Sequence, residues 1–537
     1  MNRTTLSLIA GATALAAVTG FAVLTAPDPT AADDGVATAA ARLPVERSSL
    51  LCPTPSSSDL AETTYTSFTP VTKGAESGGS AELRPATAGR PAEKDPEDGG
   101  KDGEEQSGED GEEETGEDGE EETGEDGGGE ETAASAKTGK PVLEHKKEPG
   151  KPVTAETSGG EEPALLGTAE GRFAPGWTVQ QTTEVAAGAG RGLQGVTCTA
   201  PDTEFWFPGA STAAGRTDYV HLTNPDGSAA VVDIEVYGKD GALKSEVGEG
   251  ITVKPHSSEP VLLSTLTDEE QTDVTVHVVV RSGRVGAAVQ ALDDSLGGDW
   301  LAASADPAGS LVLPGIPEDA TAVRLVVLTP GNVDADLKVQ LASPSGLITP
   351  AGNETVHVKG GMTTAVDLGD VTRGEAGSLV LTPTDRSVPV VAAVRVLRGK
   401  GDDQESAFVP AAREVGLRAT SAGNTAKGSV LAVTAPEGAA KVKVTVSAGS
   451  EGGTPATETY TIKAGTTQNI EIPVPDDVEG TYALTVEPES DDTPVYASRT
   501  LTAPDDGVPA FTVQTLPDDR GMVAVPHTEE DLSVLQK

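Results

Sequence analysis

Residues 218–292, 323–397 and 428–501 repeat one another at a constant offset of 105 residues. The set Val232, Ile234, Val236 recurs as Leu337, Val339, Leu341 and as Val442, Val444, Val446. Val220, Leu325 and Val430 keep one offset near the front of the windows, and Ala287, Ala392 and Ala497 keep one near the back. Apolar residues at every second position bury one face of a strand and wet the other. The segments are rich in Val and Thr and are broken by turns such as NPDG and GKDG. No helical stretch of convincing length separates them, which argues against βαβ units. Roughly 105 residues with some seven short strands suit an immunoglobulin-like sandwich. The expected fold is mainly β: tandem immunoglobulin-like modules at 209–298, 299–405 and 406–515, followed by a tail, 516–537. An aromatic stands near each junction: Trp206, Trp300, Phe408 and Phe511.

The N-terminus sets the compartment. Residues 4–26 carry no charge, follow Arg3, and precede Asp28, Asp33 and Asp34. As a helix they reach about 35 Å, enough for a hydrocarbon core of about 30 Å. The charge asymmetry places the N-terminus inside and the remainder outside. Residues 1–27 are read as a signal anchor, and 28–43 as a spacer. The alternative is a cleaved signal and a secreted chain, although the apolar run is long for that. In an exported protein Cys52 and Cys198 most simply form a disulfide; two separate buried thiols are the other reading.

Between the cysteines the composition changes. Residues 73–163 hold almost no large apolar side chain and include the octad GEDGEEET twice from position 108. Such a segment buries too little apolar surface to offset its ordering entropy, so it is expected to be a disordered acidic insert. It splits a cysteine-bearing β region, 44–72 and 164–208. With 38 Lys and Arg against 85 Asp and Glu, the chain carries a formal charge of −47. Nucleic acid and anionic lipid are poor partners for it.

Catalytic patterns are missing from the sequence. The six histidines form no HExxH pair, and no G-x-S-x-G occurs. The letters GRGLQG at 190–195 fit G-x-G-x-x-G but lead into Val196 rather than a helix, so a turn is expected there. The octads lack the EF-hand order and the β-roll nonapeptide; weak calcium binding by massed carboxylates is the most they imply. No catalytic, cofactor or metal residues are assigned.

LPVERSSLLCP, TEFWFPGAS, DYVHLTNP and VYGKDG together resemble a family of exported actinobacterial proteins of unknown function. The resemblance covers the membrane segment, the cysteine-bearing part and at least two modules. It implies an envelope location and no known activity, and it carries no catalytic residue over.

The expected role is a non-catalytic extracytoplasmic scaffold or interaction protein, single-pass in the cell membrane, with an envelope protein or cell-wall polymer as partner. A carbohydrate-binding protein is the alternative, with Trp177, Trp206 and Trp300 the candidate stacking residues. A secreted hydrolase is more remote. If the octads only space, deleting residues 108–131 shortens a long covalent loop and changes its closure entropy by about 0.2 kcal/mol. Non-reducing mass analysis should then find the disulfide intact and thermal melting unchanged. Saturable, stoichiometric calcium binding lost with the deletion would contradict the spacer role.

Overall fold

The computed structural model describes residues 41–88, 140–245, 247–490, 492–503 and 510–525. The expected membrane segment and the octads lie outside these residues. Among the described residues no helix is long and apolar enough to cross a membrane, and the protein is mainly β, built of antiparallel sheets with only 3₁₀ turns between them. Strand Ala41–Pro44 pairs with Met522–Val525 in a small two-stranded sheet. Residues 44–521 form one compact unit.

That unit contains four modules with the same strand order. The second module is the clearest. Its eight principal strands are Glu204–Ala210, Arg216–Thr223, Ala230–Gly238, Gly241–Ala242, Ser257–Leu262, Val274–Ser282, Gly286–Asp293 and Gly297–Leu301. One sheet runs first, sixth, third, fourth; the other runs eighth, seventh, second, fifth. The two sheets face each other across a core that includes Val220, Leu222, Val232, Ile234, Val236, Val276, Val278 and Val289. Strand Ala230–Gly238 shows the cause: Val232, Ile234 and Val236 are buried and Val231, Asp233 and Glu235 are not. The third module, from Leu311–Ile316 to Glu405–Pro410, and the fourth, from Ala419–Asn424 to Phe511–Thr515, repeat this order. The repeated trios at 337–341 and 442–446 are buried in them.

One expected equivalence fails. Val430 is 39% exposed, and Leu431 occupies the inward position instead. A single-residue slip turns every side chain of a strand to the other face. The expected boundaries at 209, 299 and 406 all fall inside strands. The junction aromatics drew attention there because Trp300, Phe408 and Phe511 sit on the eighth strands. Phe408 enters the core of the second module and Phe511 that of the third, each packing back on the preceding module.

The region read as a split cysteine-bearing piece is a fourth copy, first in the chain. Its strands are Arg47–Cys52, Ala61–Phe68, Ala81–Pro85, Leu143–His145, Val153–Ser158, Leu165–Glu170, Thr178–Val185 and Gly192–Thr197. They pair in the common order. The disordered segment expected at 73–163 is therefore too long, since three of these strands lie within it. Leu83 and Leu143 are buried in the module core. Two well-placed leucines suffice here because the rest of the sandwich supplies the apolar surface they meet. Residues 89–139, outside the described part, are inserted between the third and fourth strands, at the place of a tight hairpin in the second module. Cys52 and Cys198 form the disulfide, Cα to Cα 4.5 Å.

The modules close into a ring. The first strand of each packs on the seventh strand of the next, and the first strand of the fourth module packs on Thr178–Val185 of the first. The four eighth strands touch in turn, Gly192–Thr197 against Gly297–Leu301, then Glu405–Pro410, then Phe511–Thr515, which returns to Gly192–Thr197. We refer to them as the axial strands. Each junction holds a small apolar cluster: Val196, Ala288 and Trp300; Trp206, Leu328 and Val391; Val312, Ala342 and Val380 with Tyr496 of the next module; Phe68, Ala422 and Ala483.

The letters GRGLQG also resolve here. Gly190 lies in the expected turn, whereas Gly192 and Gly195 are strand residues. A Cβ on Gly195 would lie 2.1 Å from Gln514 Nε2 and 2.5 Å from Thr512 Cγ2. Replacing Gly195 with alanine should therefore overpack the junction that closes the ring and cost about 1–3 kcal/mol. Thermal or urea unfolding would show it, and an unchanged midpoint would contradict this account of the closure.

Candidate binding cleft beside the axial strands

A cleft of about 870 Å³ opens where the axial strands end. All four modules contribute to it, through strand Arg47–Cys52, the segment 195–206, residues 302–306, 410–413 and 513–520. Three of the four arginines that line it, Arg47, Arg284 and Arg413, are ion-paired. Arg413 Nη2 donates to Asp306 Oδ1 at 2.7 Å, and Arg284 Nη2 to Asp226 Oδ1 at 3.0 Å. Arg47 stands 3.5 Å from Glu170, and Arg418 pairs with the nearly buried Asp519. In contrast, two neutral donors in the lining, Trp300 Nε1 and Ser304 Oγ, are buried without a hydrogen-bond partner among the described residues. Such a group costs free energy until an acceptor meets it.

Asp299 stands next to Trp300 on the axial strand Gly297–Leu301 and is wholly buried. Its Oδ1 accepts the Gly195 N–H of the first module at 3.2 Å. Burial holds its carboxyl well above the usual carboxylate range, against the backbone of Trp300, Gly195 and Phe408 and the Thr512 hydroxyl, which pull it down. These residues lie on all four axial strands, so one acid serves the meeting point of the whole ring. On the first–second module boundary His221 is buried and pushed down to about 4 by desolvation, with Gln290 opposing.

The three tryptophans named as candidate sugar platforms are 4%, 5% and 2% exposed for Trp177, Trp206 and Trp300. None offers a free ring face, and the expectation is corrected. Trp177 belongs to the first-module core and donates to Ser67 Oγ at 2.9 Å. Trp206 stacks on His277 with centroids 3.5 Å apart. Trp300 sits edge-on to His221. All three lie at or near module contacts, where large rings fill space between sheets.

Around Trp206 the structure assembles a group that the sequence does not disclose. His277 Nε2 lies 3.0 Å from Glu204 Oε1, and Nδ1 lies 3.0 Å from Glu235 Oε2. Trp206 Nε1 donates to the same Glu204 oxygen at 3.1 Å, and Tyr237 OH to Glu235 Oε2 at 2.8 Å. Both imidazole nitrogens are occupied, and the group ties the first, sixth and third strands of the sheet together. Positions 204, 235 and 277 become neighbours only through the order first, sixth, third. Among the described residues no group of three His, Cys, Asp or Glu side chains is placed to hold a metal ion. The octads named for weak calcium lie outside them.

The geometry defines a ring of four β modules that share an axial cleft. The chain belongs to the family of unknown function DUF5719, whose model matches residues 153–473, more than half of its length. The match runs from the fifth strand of the first module to just past the fifth strand of the fourth. No curated protein and no solved structure matches the chain.

Asp299 gives a pH test. Its folded carboxyl sits above its ordinary value of 3.8. The folded state therefore keeps a proton that the unfolded state releases. The stability linked to it is complete below the unfolded value and is lost as pH rises through the folded one. Asp299→Asn removes this titration and keeps an acceptor for Gly195. The melting temperature of the variant relative to the parent should rise as pH increases from 4 and level off above the folded carboxyl's range; a constant difference would exclude Asp299 as a source of pH dependence.

Proposed function

We propose that the protein is a non-catalytic interaction protein of an actinobacterial cell envelope, working outside the cytoplasm. One observation carries the interaction role: most of the cleft arginines are ion-paired, while two neutral donors in its lining are left without a partner. A site that binds by shape and hydrogen bonding needs that balance; acid–base catalysis needs titratable groups left free. The Cys52–Cys198 disulfide supports export, because such bonds persist in oxidising compartments. The uncharged run at 4–26 supports retention at the membrane.

The immunoglobulin-like kinship of the modules is part of this reading. Two facing antiparallel sheets support it. The last strands do not follow the constant-domain order, however, because the sixth and seventh strands lie in different sheets. The acidic insert interrupts the first module at a hairpin position in sequence, which suits a spacer. No observation favours the glycan alternative once the tryptophans are seen to be buried.

Cell fractionation with thiol alkylation tests the proposal. The protein should appear in the membrane fraction or the medium, and Cys52 and Cys198 should resist alkylation until reduced. A cytoplasmic protein with two reactive thiols would defeat it.

A further inference from the structure

We infer that the cleft takes an extended polypeptide segment, which adds as a strand to the open edge of Arg47–Cys52. This inference rests on the interaction role proposed above and names the class of partner. Arg47–Cys52 is the outermost strand of its sheet, paired on one side with Leu165–Glu170. On its other side Leu51 makes a single bridge to Thr199: Leu51 N–H donates to Thr199 O at 2.8 Å, and Thr199 N–H to Leu51 O at 3.0 Å. Backbone groups alternate sides along an antiparallel strand. The main-chain groups of Ser49 and Arg47 therefore point the same way as those of Leu51, off the sheet.

Continuing the Leu51–Thr199 register would set Pro201 opposite Ser49. Proline has no N–H to give, so the ladder stops there. The chain instead turns to bridge Asp202 with Val285. Among the described residues nothing hydrogen-bonds the main chain of Ser49 or Arg47 on that side. Both residues line the cleft, together with Trp300 and Ser304, whose buried donors lack acceptors. An added strand supplies what is missing: N–H and C=O groups for the Ser49 edge, and carbonyl oxygens for the indole and the hydroxyl. Recognition through an open sheet edge is a general mode of peptide capture. With three of the four cleft arginines already paired, the segment should carry little charge and be rich in β-branched residues.

The test is an array of random linear octapeptides probed with the whole protein, with the best binders re-measured in solution by fluorescence anisotropy. Strand-forming sequences of little charge should bind, and N-methylation of alternate peptide bonds should abolish binding. Ser49→Pro removes the outward N–H and obstructs the edge while leaving the ladder to Leu165–Glu170 in place; it should weaken binding about tenfold or more. Trp300→Phe keeps the ring and loses the donor, and should weaken binding about threefold or more. Unfolding curves matching the parent confirm that both variants are folded. Peptides that bind the parent and Ser49→Pro equally would overturn the inference. So would an array without binders beside a positive result with a β-1,4-linked N-acetylglucosamine hexamer; that result would leave the interaction role standing. Cleavage of the peptides, read by mass spectrometry, would overturn both.

Discussion

The contact between the fourth module and the first is the one junction of the ring across which the chain does not run directly. The other three are each crossed by a short connection from an axial strand to the next first strand. The fourth closes by side chains and backbone alone. Gly195 lets Thr512 and Gln514 come close. Arg418 of the fourth module donates to Thr72 Oγ1 at 3.0 Å and to Pro175 O at 3.3 Å in the first. Thr420 donates to Gly176 O at 3.3 Å, and Phe68 packs on Ala422 and Ala483. Everything at the axis depends on this closure. Asp299 is buried because four strands surround it, and the cleft has four walls because the last module returns to the first.

Three of the four modules were legible in the sequence, the closure into a ring was not, and what was missed has a physical cause. The alternation at 232–236 and its two copies placed three cores correctly, because a strand that buries one face must repeat with period two. The first copy was hidden. Its third and fourth strands are separated by an insert whose composition dominates everything near it, and its strand Leu143–His145 is only three residues long. Periodicity over three residues carries no signal. The axial strands were missed for a similar reason. Their buried residues include Gly195, Asp299 and Ser406, which a reading by hydropathy assigns to loops. They are buried by neighbours from other modules, and such contacts are written in no local pattern.

The cysteines were legible, but what they brace was not. Cys52 ends the first strand of the first module, and Cys198 follows its axial strand directly. The bond therefore ties the two sheets of that sandwich together beside the cleft. It also fixes the segment 198–201 next to Leu51, where the ladder stops at Pro201. The link spans 146 positions in sequence and encloses the insert. Loop-closure entropy grows only logarithmically with length. The same bond can thus hold the module whatever the length of the acidic segment, which frees that segment to vary without disturbing the fold.

Open strand edges are a liability that soluble β proteins usually hide or blunt. A ring of sandwiches hides many of them, since the axial strands lie against one another and the first strands against their neighbours. The edge at Arg47–Ser49 is different. It lines a cleft, has the Arg47–Glu170 pair beside it, and is kept open by a proline at the position that would otherwise close it. A chance exposure would more simply have been sealed by extending the Leu51–Thr199 bridge by two residues. Pro201 prevents that at the place where Trp300 and Ser304 also go without partners. Two separate deficits of hydrogen bonding in one cleft, one of main chain and one of side chain, are relieved together by a single extended segment, and that shared remedy ties the edge to the function of the ring.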